Sequence, residues 1–153
     1  MQIFYMINLI IINGEIMSNF ILSIDELIRV YWSSKRIQSD LPVRGYDIDK
    51  GDFINITDTV REKMENGTLN VIPFINSYKV CLEIIDKYLS QPTIQEYSEG
   101  AYEAMKENKH CKILAFIKYF DNIDGTYSFN DFEEKQIKRT VVKWASDNGF
   151  ELT

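Results

Sequence analysis

The stretch from Phe132 to Phe150 constrains the fold more than any other part of the chain. Phe132, Gln136, Ile137, Thr140, Val141, Trp144 and Ala145 recur at three- and four-residue spacing, the period of one helix face. A stripe of that length must be covered by another element. Glu133, Lys138 and Lys143 fall on the opposite, outward face. Gly149 after Asn148 offers the left-handed residue that closes a helix, and Phe150 can fold back as its apolar clasp. Trp144 is expected in the core of the second half, against Ile84, Ile117 or their neighbours.

Local signals fill in the rest. Ser23-Ile24-Asp25-Glu26 is a capping box that opens a helix, with Ile24, Leu27, Ile28 and Tyr31 on its apolar stripe. Residues 43–48 and 53–56 read as two strands joined by the Gly-containing turn 49–52. Thr57 or Asp58 can cap a short helix that stops at Asn66-Gly67. Residues 69–74 form a third strand, which Pro73 assigns to an edge or an end. Ser77 caps a helix that turns Val80, Cys81, Ile84, Ile85 and Tyr88 inward. Thr93-Ile94-Gln95-Glu96 is a second capping box, residues 109–121 continue as helix, and Ser128 or Asn130 starts the last one. The expected class is α+β: an N-terminal helix, a small antiparallel sheet made of a hairpin plus an edge strand, and a helical C-terminal half. With no repeat and no dividing linker, residues 17–153 are read as one domain.

Composition narrows the function classes. The chain has 153 residues, enough for a real core. Its net charge of −6 opposes a broad nucleic-acid surface. Cys81 and Cys111 each fall on an apolar helical stripe, the pattern of buried free thiols in a cytosolic protein. Residues 3–12 are apolar but too short to span a membrane, and no basic residue precedes them as in a signal peptide. Gly14-Glu15-Ile16-Met17 can be encoded GGA-GAA-ATT-ATG, a purine-rich ribosome-binding string before a start codon. Residues 1–16 therefore read either as translated leader or as an ordinary first strand.

Few residues offer chemistry. His110 is the sole histidine, which rules out two-histidine metal motifs. His110 and Cys111 are neighbours, and neighbours on a helix point away from each other. There is no Gly-rich phosphate loop and no Gly-x-Ser-x-Gly elbow. Residues 120–133 look like a degenerate EF-hand, with Asp121, Asp124, Ser128 and Asp131 as weak oxygen ligands. With Gly125 at loop position six, Phe120 takes the first ligand position and Asp131 the last, where a bidentate Glu is needed. No bound metal or cofactor is expected. Lys109, Lys112, Lys138 and Arg139 make the C-terminal half locally basic. Interleaved acids make a solvated, charge-paired face the plain reading, and a surface for a protein partner the functional one.

The order of elements resembles uncharacterised protein family 0158, a group of small bacterial proteins. The resemblance runs from Ser23-Ile24-Asp25-Glu26-Leu27-Ile28, through Tyr46-Asp47-Ile48-Asp49-Lys50-Gly51-Asp52 and Val71-Ile72-Pro73, to the tail. There Phe132, Trp144 and Asp147-Asn148-Gly149-Phe150-Glu151 are similar to the family's Phe-x11-Trp-x-x-x-Asn-Gly-Ile ending. Two departures stand out. Asn130 and Asp131 replace a Trp-Tyr pair, and Asn108-Lys109-His110-Cys111-Lys112-Ile113-Leu114 replaces a basic Phe-Arg-Arg-Phe-Lys-type helix. The resemblance implies a fold and a bacterial cytosolic origin, and no catalytic residue.

The expected function is a non-enzymatic cytosolic binding or regulatory module acting on a protein, with an antitoxin- or immunity-like inhibitor as one form. Small acidic proteins can block basic ones electrostatically. The alternatives are a hydrolase or transferase that uses the carboxylates Asp47, Asp49 and Asp52 near the hairpin, and the degenerate calcium loop.

Overall fold

The computed structural model describes residues 11–12, 15–16, 20–121, 123 and 129–153. The leader expectation for residues 1–16 lies outside the described residues except at two short antiparallel strands, β1 (Ile11–Ile12) and β2 (Glu15–Ile16). Strand β3 (Ile21–Leu22) leads into helix α1 (Ile24–Ser34), where the Ser23 hydroxyl accepts from the Glu26 amide at 3.4 Å. The hairpin follows as β4 (Arg44–Asp47) and β5 (Asp52–Asn55), with Gly51 at φ 69° closing its turn. Thr57 caps α2 (Asp58–Glu65), and β6 (Val71–Pro73) completes a three-stranded antiparallel sheet in the order β5-β4-β6. Pro73 is thus the last residue of an edge strand, where its missing N–H is harmless. In the middle strand, a Cβ on Gly45 would stand 2.5 Å from Val71 Cγ1 and 3.1 Å from the Ile72 carbonyl. Only glycine lets β6 approach that closely.

The helical half consists of α3 (Ser77–Leu89), α4 (Gln95–Glu107), α5 (Lys112–Asp121) and α6 (Phe129–Asp147). The chain is an α+β domain of the expected layout, with local differences. Asn76 rather than Ser77 caps α3, accepting from the Lys79 amide. That frees the buried Ser77 hydroxyl to bond Ser34 Oγ at 2.9 Å. Thr93 does not cap α4: Ile94 takes the cap position without a side-chain bond and is buried. Burying Ile94 draws residues 91–94 into a tight turn, which moves the helix start past the Thr-x-x-Glu signal. Helix α5 starts at Lys112, so residues 109–111 form the preceding turn and Cys111 is exposed. The expected burial of Cys81 is correct and that of Cys111 is not.

Helix α6 is the spine of the molecule. Its buried residues are Phe129, Glu133, Ile137, Val141, Trp144 and Ala145, a four-residue repeat rotated from the expected stripe. Glu133, expected outward, is fully buried. At the N-terminal end, Phe129 and Phe132 join an aromatic cluster with Tyr88, and Phe129 also meets Phe116. The far end closes as expected. Gly149 has φ 78°, and the Phe150 amide bonds the Ala145 carbonyl at 2.9 Å. Glu151–Leu152 then forms β7, parallel to β3, which ties the last residues to the segment before α1.

Trp144 is buried, but its ring partners belong to the sheet side rather than to the Ile84–Ile117 region. It stacks on Phe150 at 5.3 Å, meets Phe74 edge-on at 5.0 Å, and lies 6.1 Å from Phe53. Its indole N–H donates to the Pro73 carbonyl at 2.9 Å. Trp144 therefore joins the spine helix to the edge strand. Removing such a side chain costs about 3–5 kcal/mol of a domain stability of about 5–15 kcal/mol. Trp144→Ala should leave a protein that denaturant melts report as mostly unfolded. Lys138→Ala, on the exposed face, should change stability by less than about 0.5 kcal/mol.

Candidate functional site

The strongest concentration of polar chemistry is inside the protein. Glu133 Oε2 accepts from the Tyr31 hydroxyl at 2.5 Å, from Lys35 Nζ at 3.1 Å and from the Cys81 thiol at 3.5 Å, while Oε1 accepts from Lys35 Nζ at 3.0 Å. The side chains of Lys35 and Glu133 are 4% and 0% exposed. Lys35 Nζ also lies 3.9 Å from the centre of the Trp32 ring, a cation–π contact. Three of these contacts fall on Oε2 and one on Oε1, so most of the carboxylate's acceptor capacity is used inside the fold. Burial, with the negative charge of Glu133 beside it, pushes the Cys81 thiol up to about 12. A thiol held protonated is not a nucleophile. Burial, followed by the Cys81 and Glu133 charges, likewise raises the Tyr31 phenol above its ordinary value. The cluster is a brace between α1, α3 and α6.

None of these four residues stood out in the sequence as a site. The signal for Glu133 was its place four residues after Phe129 and four before Ile137, inside an apolar repeat. Lys35 directly follows an apolar helix, which reads equally well as an ordinary exposed basic terminus.

The hairpin carboxylates are occupied by local structure. Asp47 is buried, and its Oδ1 accepts from the amides of Asp49 at 3.0 Å and Lys50 at 3.1 Å, fixing the turn. Asp49 accepts from the Asn70 side chain, and Asp52 from the Phe53 amide. They form a turn, not a converging set of carboxylates. Of the calcium-loop residues, Asp121 and Asp131 are exposed, while Asp124 and Ser128 lie outside the described residues. Among the described residues, no group of three or more His, Cys, Asp or Glu side chains could hold a metal ion.

The basic residues separate. Lys109 and Lys112 line a groove with Lys106, Leu82, Asp86, Tyr102 and Met105. Lys138 and Arg139 are exposed on α6 and do not line it. The groove has a volume of about 530 Å³ and runs between α3, the last turns of α4 and the start of α5. Leu82 and Met105 supply apolar surface, and Tyr102 is 44% exposed, its hydroxyl bonded to Asp86 at 2.8 Å. Lys106 completes a trio that sequence spacing alone did not separate from the interleaved acids. Among the described residues, no helix is long and apolar enough to cross a membrane. Comparison of the chain with protein-family models, curated proteins and solved structures finds no match.

Breaking a buried ion pair from one side leaves an uncompensated charge, at a cost of about 3–5 kcal/mol. Glu133→Gln and Lys35→Met should each lower stability by that order. The double variant should be less destabilised than the sum, because it removes both charges and keeps an acceptor for Tyr31. Urea melts of the four proteins measure the coupling.

The alkaline response follows from the same cluster. The folded thiol of Cys81 titrates at about 12 instead of 9.0, and Tyr31 is shifted upward from 10.0. Both groups bind their proton more tightly in the folded state, so their contribution is complete below the unfolded values and is lost as pH rises. Stability should stay level up to about pH 9 and fall between about 9 and 12. Cys81→Ala should flatten the first part of that fall in a series of urea melts.

Proposed function

We propose that the protein is a non-enzymatic binding module that acts in the cytoplasm and takes a protein partner in the groove between α3, α4 and α5. The observation that carries this reading is the groove's composition: three lysines around Leu82, Met105 and a half-exposed Tyr102. Apolar floor with a charged rim and an aromatic anchor is the usual anatomy of a protein contact. Lysines on that rim favour an acidic segment that also carries apolar side chains. The occupied state of Glu133, Cys81, Asp47, Asp49 and Asp52 supports binding over a carboxylate-dependent hydrolase or transferase. An antitoxin- or immunity-like inhibitor of a basic protein would draw on the net charge of −6 and would use a different face. The likeness to uncharacterised protein family 0158, strongest in the tail motif, adds a bacterial origin to the reading.

A pair of charge reversals tests it. Tagged wild type, Lys109→Glu/Lys112→Glu and Lys138→Glu/Arg139→Glu are used side by side to capture partners at low salt. A protein retained by wild type and by the α6 variant, but lost by the groove variant at unchanged melting temperature, is the expected outcome. A partner lost only with the α6 variant would move the contact off the groove and sink the reading.

A further inference from the structure

A cavity of about 710 Å³ lies where the end of α1 meets the end of α5 and the start of α6. It shares no lining residue with the groove. Small-molecule sites have volumes of about 300–1,000 Å³, with mostly apolar walls and a few polar groups. Trp32, Phe116, Ile117, Phe120 and Phe129 line this one, and aromatic rings favour edge-on or offset contacts with the ring of a ligand. Lys35 also lines it, but Lys35 is buried and its ammonium is held by both oxygens of Glu133, so that charge is already offset.

Two other charges on the lining are not offset. Arg36 follows α1, and Asp121 ends α5. Both are exposed, and neither side chain forms a hydrogen bond or ion pair with a described residue. They are opposite in sign and line one cavity, yet they stand too far apart to pair with each other. The helix ends reinforce this separation. Asp121 is the last residue of α5, where the negative end of the helix dipole disfavours an acid with no cation beside it. Lys118, the basic residue of that turn, lines a different cavity. On the other side, the Lys35–Glu133 pair holds the end of α1 against the first turns of α6, whose positive dipole end starts at Phe129. A ligand that fits has an anionic group, a cationic group and an apolar body. An inorganic ion would answer one charge and none of the rings. A simple aromatic acid would leave Asp121 unanswered.

We infer that this cavity is a binding site for a free α-amino acid with an aromatic side chain. Its two charges sit on one carbon, so it can bridge two groups that do not reach each other. Arg36 takes the α-carboxylate, for which its planar fork is suited. Asp121 takes the α-ammonium, and the ring of the ligand packs among Trp32, Phe116, Phe120 and Phe129. The site is separate from the groove proposed for a protein partner, and neither reading depends on the other.

Titration calorimetry of the full chain tests the site with four probes: phenylalanine, phenylpropionate, phenylethylamine and glycine. Phenylalanine should bind tightest. Glycine, which keeps both charges and lacks the ring, should bind more than about tenfold more weakly. Arg36→Gln should weaken phenylalanine and phenylpropionate by about fivefold and leave phenylethylamine unchanged. Asp121→Asn should do the reverse, weakening phenylalanine and phenylethylamine by about fivefold and sparing phenylpropionate. Both residues are exposed, so both variants should melt near the wild-type temperature, and that is checked alongside. No binding of phenylalanine up to its solubility limit would overturn the inference. So would glycine or phenylpropionate binding as tightly as phenylalanine, or phenylalanine affinity that neither variant changes.

Discussion

A fully buried carboxylate is tolerated only where donors surround it in the folded state. Glu133 takes its donors from two other helices: Tyr31 and Lys35 from the end of α1, and Cys81 from α3. Lys35 and Glu133 lie 98 residues apart in sequence, so their meeting is a property of the finished fold. An ion pair of this kind adds little net stability over a well-packed apolar substitute. Its effect is on specificity. If α6 turned by one residue against α1, Lys35 would be left charged and buried without a counter-ion. The cluster therefore fixes the rotation and register of the spine helix.

That register decides where both ends of α6 land. With Glu133 inward, Phe129 points into the rings of Tyr88 and Phe116, and Trp144 points at Phe53, Phe74 and Phe150. One aromatic cluster belongs to the helical half and the other to the sheet. The bond from the Trp144 indole to Pro73 adds a directional tie to the edge strand. Sheet and helices share one core cluster, in which α6 reaches both ends.

The lysine-rimmed groove lies beside the turn between α4 and α5. The turn between α4 and α5 brings Lys106, Lys109, His110 and Lys112 to one end of the helical hairpin, next to α3. A positive region there sits on the positive end of the α5 dipole, an arrangement that costs stability unless an anion offsets it. An acidic segment in the groove, as proposed, would offset that excess of charge.

Much of this was legible in the residues. Ser23, Thr57, Gly51 and Gly149 announced the helix and turn boundaries because capping and left-handed turns are chemistry within three or four residues. Period-two and period-3.6 patterns gave the hairpin and the helices, hence the α+β class. What escaped depends on contacts distant in the chain. Thr93 carried a cap signal, yet the need to bury Ile94 moved the start of α4. Cys111 fell on an apolar stripe, yet α5 begins one residue later. Glu133 reads as a surface residue in any local window, since charge usually marks the outside. Only the tertiary structure, by bringing Lys35, Tyr31 and Cys81 to it, made its burial affordable. The same holds for the groove: the sequence supplies the lysines, and the packing of α4 and α5 against α3 decides which of them share a surface.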